Sequence, residues 1–81
     1  MKTLHGNTRL STLRQLADEL AKTYKPKDKS ICVFLDLWRY PHGEEENYKV
    51  YIEGHHKIHT AHTIPELKTL IKTLKQEALN S

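Results

Sequence analysis

The stretch from Ser30 to Tyr40 constrains the fold of this 81-residue chain most strongly, because its side chains alternate between two kinds of surface. This period of two is typical of a β-strand. The aliphatic set is Ile31, Val33, Leu35 and Leu37. The mostly aromatic set is Cys32, Phe34, Asp36, Trp38 and Tyr40. The sequence therefore predicts a strand with an aliphatic core face and an aromatic outer face.

A second strand is predicted from Tyr48 to Glu53, because this segment alternates in the same way. Its apolar positions, Tyr48, Val50 and Ile52, match the aliphatic side of the first strand, while Lys49, Tyr51 and Glu53 lie on the other side. Between the two strands, Pro41 to Asn47 is typical of a turn-forming loop, and it contains three consecutive carboxylates that favour solvent. A hairpin with a long, acidic loop is expected.

The third strand is predicted around Ile58 and His59, after a loop of Gly54, His55 and His56. We expect Ile58 to lie opposite Ile52 on the core face. His59 then lies opposite Tyr51 on the outer face. A shift of one residue would place Ile58 on the wrong side of the sheet, so the apolar pattern selects this register.

The first helix is predicted from Thr12 to about Tyr24. Thr12 and Gln15 have the spacing of a capping box, and Pro26 disfavours helical geometry at Lys25, the residue before it. Residues 1–11 contain few large apolar groups, so they are expected to form a flexible N-terminal arm.

The last helix is predicted to begin at Thr63, which is followed by Pro65 in the first turn and by Glu66 at the capping-box position. Its apolar stripe consists of Ile64, Leu67, Leu70, Ile71, Leu74 and Ala78. Together these elements predict a single α+β domain, residues 12–79, of order α-β-β-β-α. Two helices back one face of a three-stranded antiparallel meander, as suits so short a chain.

The composition bears on the class of partner and the cellular compartment expected for this chain. The net charge of +3 does not demand an anionic partner. The one cysteine, Cys32, excludes an intrachain disulfide and favours a reducing compartment. No apolar run has the length of a signal peptide or membrane span, so a cytoplasmic protein without membrane association is expected.

No enzymatic activity, cofactor or metal site is predicted. Four histidines, His55, His56, His59 and His62, fall close together in the sequence. On an extended strand His59 and His62 point to opposite faces, and no Cys or Asp supplies the further ligands that zinc requires. Asp36, beside Tyr51, His59 and Glu53, is a candidate acid–base group, but an open sheet provides no pocket for catalysis.

The aromatic outer face is the predicted site of partner binding. Its residues are Phe34, Asp36, Trp38, Tyr40, Lys49, Tyr51 and His59. So many rings favour an occupant of this face. The alternatives are single-stranded nucleic acid, a protein partner, a second copy in a homodimer, or the N-terminal arm or the long loop folded over the rings. An alternative nucleic-acid site is the stripe of Lys68, Lys72 and Lys75 on the last helix.

The order of elements is also that of double-stranded RNA-binding domains, but the final helix lacks their basic start and begins His62-Thr63-Ile64-Pro65-Glu66. Residues 30–74 resemble small accessory proteins of tailed bacteriophages and prophages. The shared features are the aromatic strand Leu35-Asp36-Leu37-Trp38, the later turn Tyr51-Ile52-Glu53-Gly54 and a Leu-rich final helix. This resemblance implies a phage origin and a non-enzymatic, host-directed role in the host cytoplasm.

Overall fold

The computed structural model describes residues 4–80, with side chains from Leu10 onward. The helices and strands are α1 (Leu4–Tyr24), a 3₁₀ turn (Lys25–Lys27), β1 (Ile31–Tyr40), β2 (Gly43–Ile52), β3 (His59–Ala61) and α2 (Ile64–Asn80). The strands form one antiparallel sheet in the order β1-β2-β3. The predicted α-β-β-β-α fold is therefore confirmed.

Both helices lie on one side of the sheet and bury its central strand. α1 packs against β1 and α2, and α2 packs against β3 and α1. The buried apolar core consists of Leu13, Leu16, Leu20, Tyr24, Tyr48, Val50, Ile52, Ala61, Leu67, Ile71, Leu74 and Ala78. Neither helix in residues 4–80 has the length and apolar character needed to cross a membrane.

The assignment of side chains to the two faces of β1 and β2 is confirmed with one exception. Ile31 pairs with Ile52 and Val33 with Val50, so the aliphatic positions face the helices. Leu37 was predicted in the core but is 46% exposed. Its cross-strand neighbour is Glu46, and every residue from Leu37 to Glu45 is exposed, because the helices do not cover this end of the hairpin.

The long acidic loop is not present. β2 begins at Gly43, and only Pro41 and His42 connect the strands. Glu44 and Glu45 are exposed to solvent as expected, and strand pairing also gives each a partner on β1. Glu44 lies 3.5 Å from the Arg39 guanidinium, and Glu45 accepts a hydrogen bond of 3.1 Å from the Tyr40 hydroxyl.

The predicted register of the third strand is wrong by one residue. β3 pairs His59 with Val50 and Ala61 with Tyr48, so His59 faces the helices and not the outer face. Ile58, predicted in the core, precedes β3 and is 51% exposed. In this register the small Ala61, opposite Tyr48, is the buried apolar residue of β3 and packs beside α2, while Ile58 lies outside the paired strand.

The first helix begins at Leu4 and not at Thr12, so Thr12 lies inside α1. Most of the predicted N-terminal arm is therefore helical, and residues 1–3 of that arm lie outside the described part of the chain. Leu10 lies three and seven residues before Leu13 and Ala17, so the apolar spacing of α1 continues one turn before Leu13.

The start of the last helix is confirmed. The Thr63 hydroxyl accepts a hydrogen bond of 3.2 Å from the Glu66 amide, and Pro65 lies in the first turn. The Glu66 carboxylate accepts a bond of 2.9 Å from the amide of His62, one residue before the expected position. Both backbone amides are thus satisfied locally.

Candidate functional site

The predicted partner-binding residues lie together on the outer face, which is the side of β1 and β2 away from the helices. This face carries Phe34, Asp36, Trp38, Tyr40, Lys49 and Tyr51. His59 is the exception, since the register of β3 turns it toward the helices. Tyr51 lies opposite Cys32, whose thiol is free and exposed.

Asp36 links two neighbours on the outer face. Its Oδ2 accepts a hydrogen bond of 2.9 Å from the Trp38 indole nitrogen and lies 3.3 Å from the Lys49 ammonium. An ion pair at a partly exposed site contributes little stability. Its geometric effect is larger, because an indole that donates to a fixed carboxylate has fewer accessible rotamers.

Trp38, Tyr40 and His42 form an aromatic ladder along one side of the hairpin. The Trp38 and Tyr40 rings are 6.4 Å apart at an interplanar angle of 11°, and Tyr40 and His42 are 5.3 Å apart at the same angle. The hydrogen bond from Tyr40 to Glu45 is the main reason that the pKa of the Tyr40 hydroxyl is raised, with smaller effects of desolvation and of the charges of Glu45 and Asp36.

His42 was missed by sequence reasoning because it was assigned to a long loop. The two-residue turn instead places its ring on Tyr40. The spacing Trp38, Tyr40, His42, with every second residue aromatic, was the available signal.

The rings of the outer face remain open to solvent. Trp38 is 53% exposed, Tyr40 and Tyr51 are each 41% exposed, and Phe34 is 38% exposed. Four exposed rings on one face of a sheet are more typical of an interface than of free protein surface. Side-chain charges between Ile31 and Ile52 on this face are the carboxylates Asp36 and Glu45 and the ammonium of Lys49. The face is therefore aromatic without being basic.

The three lysines of the alternative site do converge. Lys68, Lys72 and Lys75 line one groove between α1 and α2, together with Thr12 and Glu19. The Lys75 ammonium lies 3.4 Å from the Glu19 carboxylate, which offsets part of the positive charge. This groove lies between the helices, separate from the outer face.

The histidines do not behave as one cluster. His55 and His59 meet, with Nδ1 of His55 2.9 Å from Nε2 of His59, whereas His62 bonds to the Asn47 side chain. Burial, and then the proximity of His55, lowers the pKa of His59, and Glu77 opposes this shift. Within residues 4–80 no group of three or more His, Cys, Asp or Glu side chains is placed to hold a metal ion.

Comparison with known proteins adds no further constraint on the site. No family model matches the chain, and no curated protein or solved structure shows significant similarity to it. The likeness to small phage proteins therefore stays a prediction. The function has to be argued from the geometry of the outer face.

Proposed function

We propose that this protein is a non-enzymatic interaction module that binds a protein partner through the outer face of its sheet. The observation that carries the proposal is the aromatic ladder, whose rings are held in place while they remain exposed. The indole of Trp38 is bonded to Asp36 and the hydroxyl of Tyr40 to Glu45. Rings that are ordered before binding lose less entropy on binding, which favours affinity.

The composition of the face favours a protein partner over nucleic acid. Tyr and Trp combine a large apolar area with a polar group, and they are enriched among the residues that dominate protein interfaces. Single-stranded nucleic acid also stacks on exposed rings, but its phosphates require a positively charged groove. The ladder here is flanked by Glu45 and Asp36, which repel phosphate.

The setting of this function is the second part of the proposal. The exposed thiol of Cys32 suits a reducing cytoplasm. The likeness of residues 30–74 to phage accessory proteins makes a host protein the candidate partner.

Affinity capture from a bacterial lysate with matched variants tests the outer face. The parent chain is compared with Trp38→Ala, Tyr51→Ala and the control Leu79→Ala, which removes an exposed apolar group on α2, the helix on the other side of the sheet. A specific partner should be lost with the first two variants and kept with the control. For the purified partner, Trp38→Ala should weaken binding by about 2 kcal/mol or more.

Salt and nuclease distinguish the class of partner. Binding to a protein through an aromatic face should survive nuclease treatment and change little with salt, whereas phosphate contacts weaken steeply as salt rises. A partner retained equally by Trp38→Ala, Tyr51→Ala and Leu79→Ala would contradict the proposal.

The lysine groove supports the second candidate, a nucleic-acid-binding module, because three lysines line one surface. Its test is the double variant Lys68→Ala/Lys72→Ala. If the groove binds nucleic acid, this variant should weaken binding at all sequences and reduce its salt dependence, while Trp38→Ala should leave it unchanged.

A further inference from the structure

The two edges of the sheet differ in a way that points to a second interaction surface. β3 is three residues long, whereas β1 runs for ten residues, from Ile31 to Tyr40. The pairing of β1 with β2 is unbroken from Ile31 opposite Ile52 to Tyr40 opposite Gly43. Within residues 4–80 no strand pairs with the other side of β1, which we call the β1 edge.

Natural edge strands are usually protected by proline, a bulge, short length or charged side chains. Between Ile31 and Leu37 the β1 edge has none of these apart from Asp36, and that carboxylate is bound on the outer face by Trp38 and Lys49. An edge this long and uncharged is suited to pairing with another strand.

The backbone groups available at the β1 edge follow from the ladder. The carbonyl of Ser30 accepts a hydrogen bond of 2.9 Å from the Glu53 amide, so Ser30 belongs to a hydrogen-bonded pair. Such pairs alternate along an antiparallel ladder, and even-numbered residues of β1 therefore direct their backbone groups to β2. The odd-numbered residues direct theirs outward, and these are Ile31, Val33, Leu35, Leu37 and Arg39.

Apolar side chains flank these backbone groups. A groove of about 470 Å³ runs beside the β1 edge. Its lining is apolar apart from Arg14, with Leu10, Leu13 and Ala17 from α1 and Val33, Phe34 and Leu35 from β1. Leu10 on α1 is 53% exposed. Leu37, which lies on β1 beyond the end of the groove, is 46% exposed. Pairing at this edge would bury apolar area as well as satisfy the backbone.

We propose that the β1 edge pairs with the β1 edge of a second copy of this chain, antiparallel about a two-fold axis at Leu35. The two sheets then form one continuous six-stranded sheet, in which two outer faces lie side by side. This surface is distinct from the outer face and does not depend on the proposed function.

Self-pairing follows from how well this strand complements itself. An axis at Leu35 is the one that engages all five outward-directed residues, since it pairs Ile31 with Arg39 and Val33 with Leu37. The exposed Leu37 is then covered by Val33 of the second copy. Asp36 lies opposite Phe34 of the second copy, whereas an axis at Asp36 would place two carboxylates directly opposite each other, which is destabilising.

Sedimentation of two matched variants tests the dimer. Leu37→Lys and Ile58→Lys each add a charge at a side chain that is about half exposed in the single chain, so neither should prevent folding. We expect the parent and Ile58→Lys to be dimeric and Leu37→Lys to dissociate at least about tenfold more readily. A monomeric parent, or a Leu37→Lys protein as dimeric as the control, would overturn the proposal.

The register is tested with a spin label on Cys32, the one cysteine of the chain, which is exposed. An axis at Leu35 places Cys32 opposite Trp38 of the second copy, so the two labelled positions are offset by six residues, about 20 Å. An axis at Phe34 would shorten this offset to about 14 Å. A measured separation that fits neither edge register would assign the dimer to another surface.

Partner binding by the outer face and dimerisation through the β1 edge can be disproved independently of each other. If Leu37→Lys becomes monomeric but still captures a partner that Tyr51→Ala loses, the outer face and the β1 edge act independently. Loss of dimerisation in Tyr51→Ala but not in Leu37→Lys would show that the outer face itself forms the dimer, and it would contradict edge pairing.

Discussion

His55 and His59 share a hydrogen bond between their imidazole rings, with Nδ1 of one 2.9 Å from Nε2 of the other. One ring must donate a proton and the other must accept it, so the bond requires that at least one ring is neutral. The edge of Tyr24 approaches the ring of His55, with centroids 6.3 Å apart. The pair thereby connects the end of α1 to the segment before β3.

The histidine pair predicts that stability falls at acidic pH. Burial places the pKa of His59 in the folded chain below its ordinary value of 6.5, so between these two values the unfolded chain binds more protons. This contribution is complete above about pH 6.5 and is lost as the pH falls through the folded pKa. Denaturant melts at a series of pH values measure it.

Matched variants assign the effect to His59. His59→Gln should flatten the pH dependence of unfolding in this range, while His56→Gln, at an exposed position, should leave it unchanged. Equal loss of stability in the parent and in His59→Gln on acidification would show that another group is responsible.

The core predicts where truncation is most costly. Ile52 is fully buried, whereas Leu35 is only partly buried at the β1 edge. Ile52→Ala should therefore lower the free energy of unfolding by about 2 to 5 kcal/mol, and Leu35→Ala should cost less. Leu79→Ala, at a side chain that is 75% exposed, is the control and should change stability by less than about 0.5 kcal/mol. An equal cost for Leu35 and Ile52 would argue against the packing of β1.

Removing the N-terminal cap of α2 should lower stability less than truncating Ile52. Thr63→Ala removes the acceptor of the Glu66 amide and should lower the free energy of unfolding by about 1 kcal/mol. Thr63→Ser keeps the hydroxyl and should retain most of that stability. Chemical denaturation of both variants distinguishes loss of the cap from loss of the threonine methyl group.

The turn after β2 predicts a cost for any side chain at Gly54. Its φ of +95° is rarely adopted by other residues, and an added Cβ would lie 2.7 Å from the Lys29 ammonium. Gly54→Ala should lower the free energy of unfolding by about 1 kcal/mol or more. Repeating the substitution in a Lys29→Ala background isolates the backbone strain, and a cost that vanishes there would show that only the contact mattered.

The faces of the hairpin and the start of α2 could be predicted from the sequence because both depend on local rules. Alternation along β1 assigns Val33 and Trp38 to opposite sides of the sheet whatever the rest of the chain does. The spacing of Thr63 and Glu66 likewise satisfies backbone amides within a single turn. These rules predicted all seven partner-binding residues on the outer face, and the prediction is wrong only for His59.

The tertiary structure decided the register of β3 and the length of the hairpin, because each depends on contacts between different helices and strands. The register of β3 buries the small Ala61, leaves Ile58 exposed and turns the partly exposed His59 toward the helices. The pairing of β1 with β2 continues to Gly43 and places Arg39 opposite Glu44 and Tyr40 near Glu45, contacts between two strands that the pattern along either strand does not predict. Two registers of β3 that differ by one residue can both satisfy the backbone hydrogen bonds, and apolar periodicity alone does not distinguish between them. Packing against the rest of the chain selects one of them.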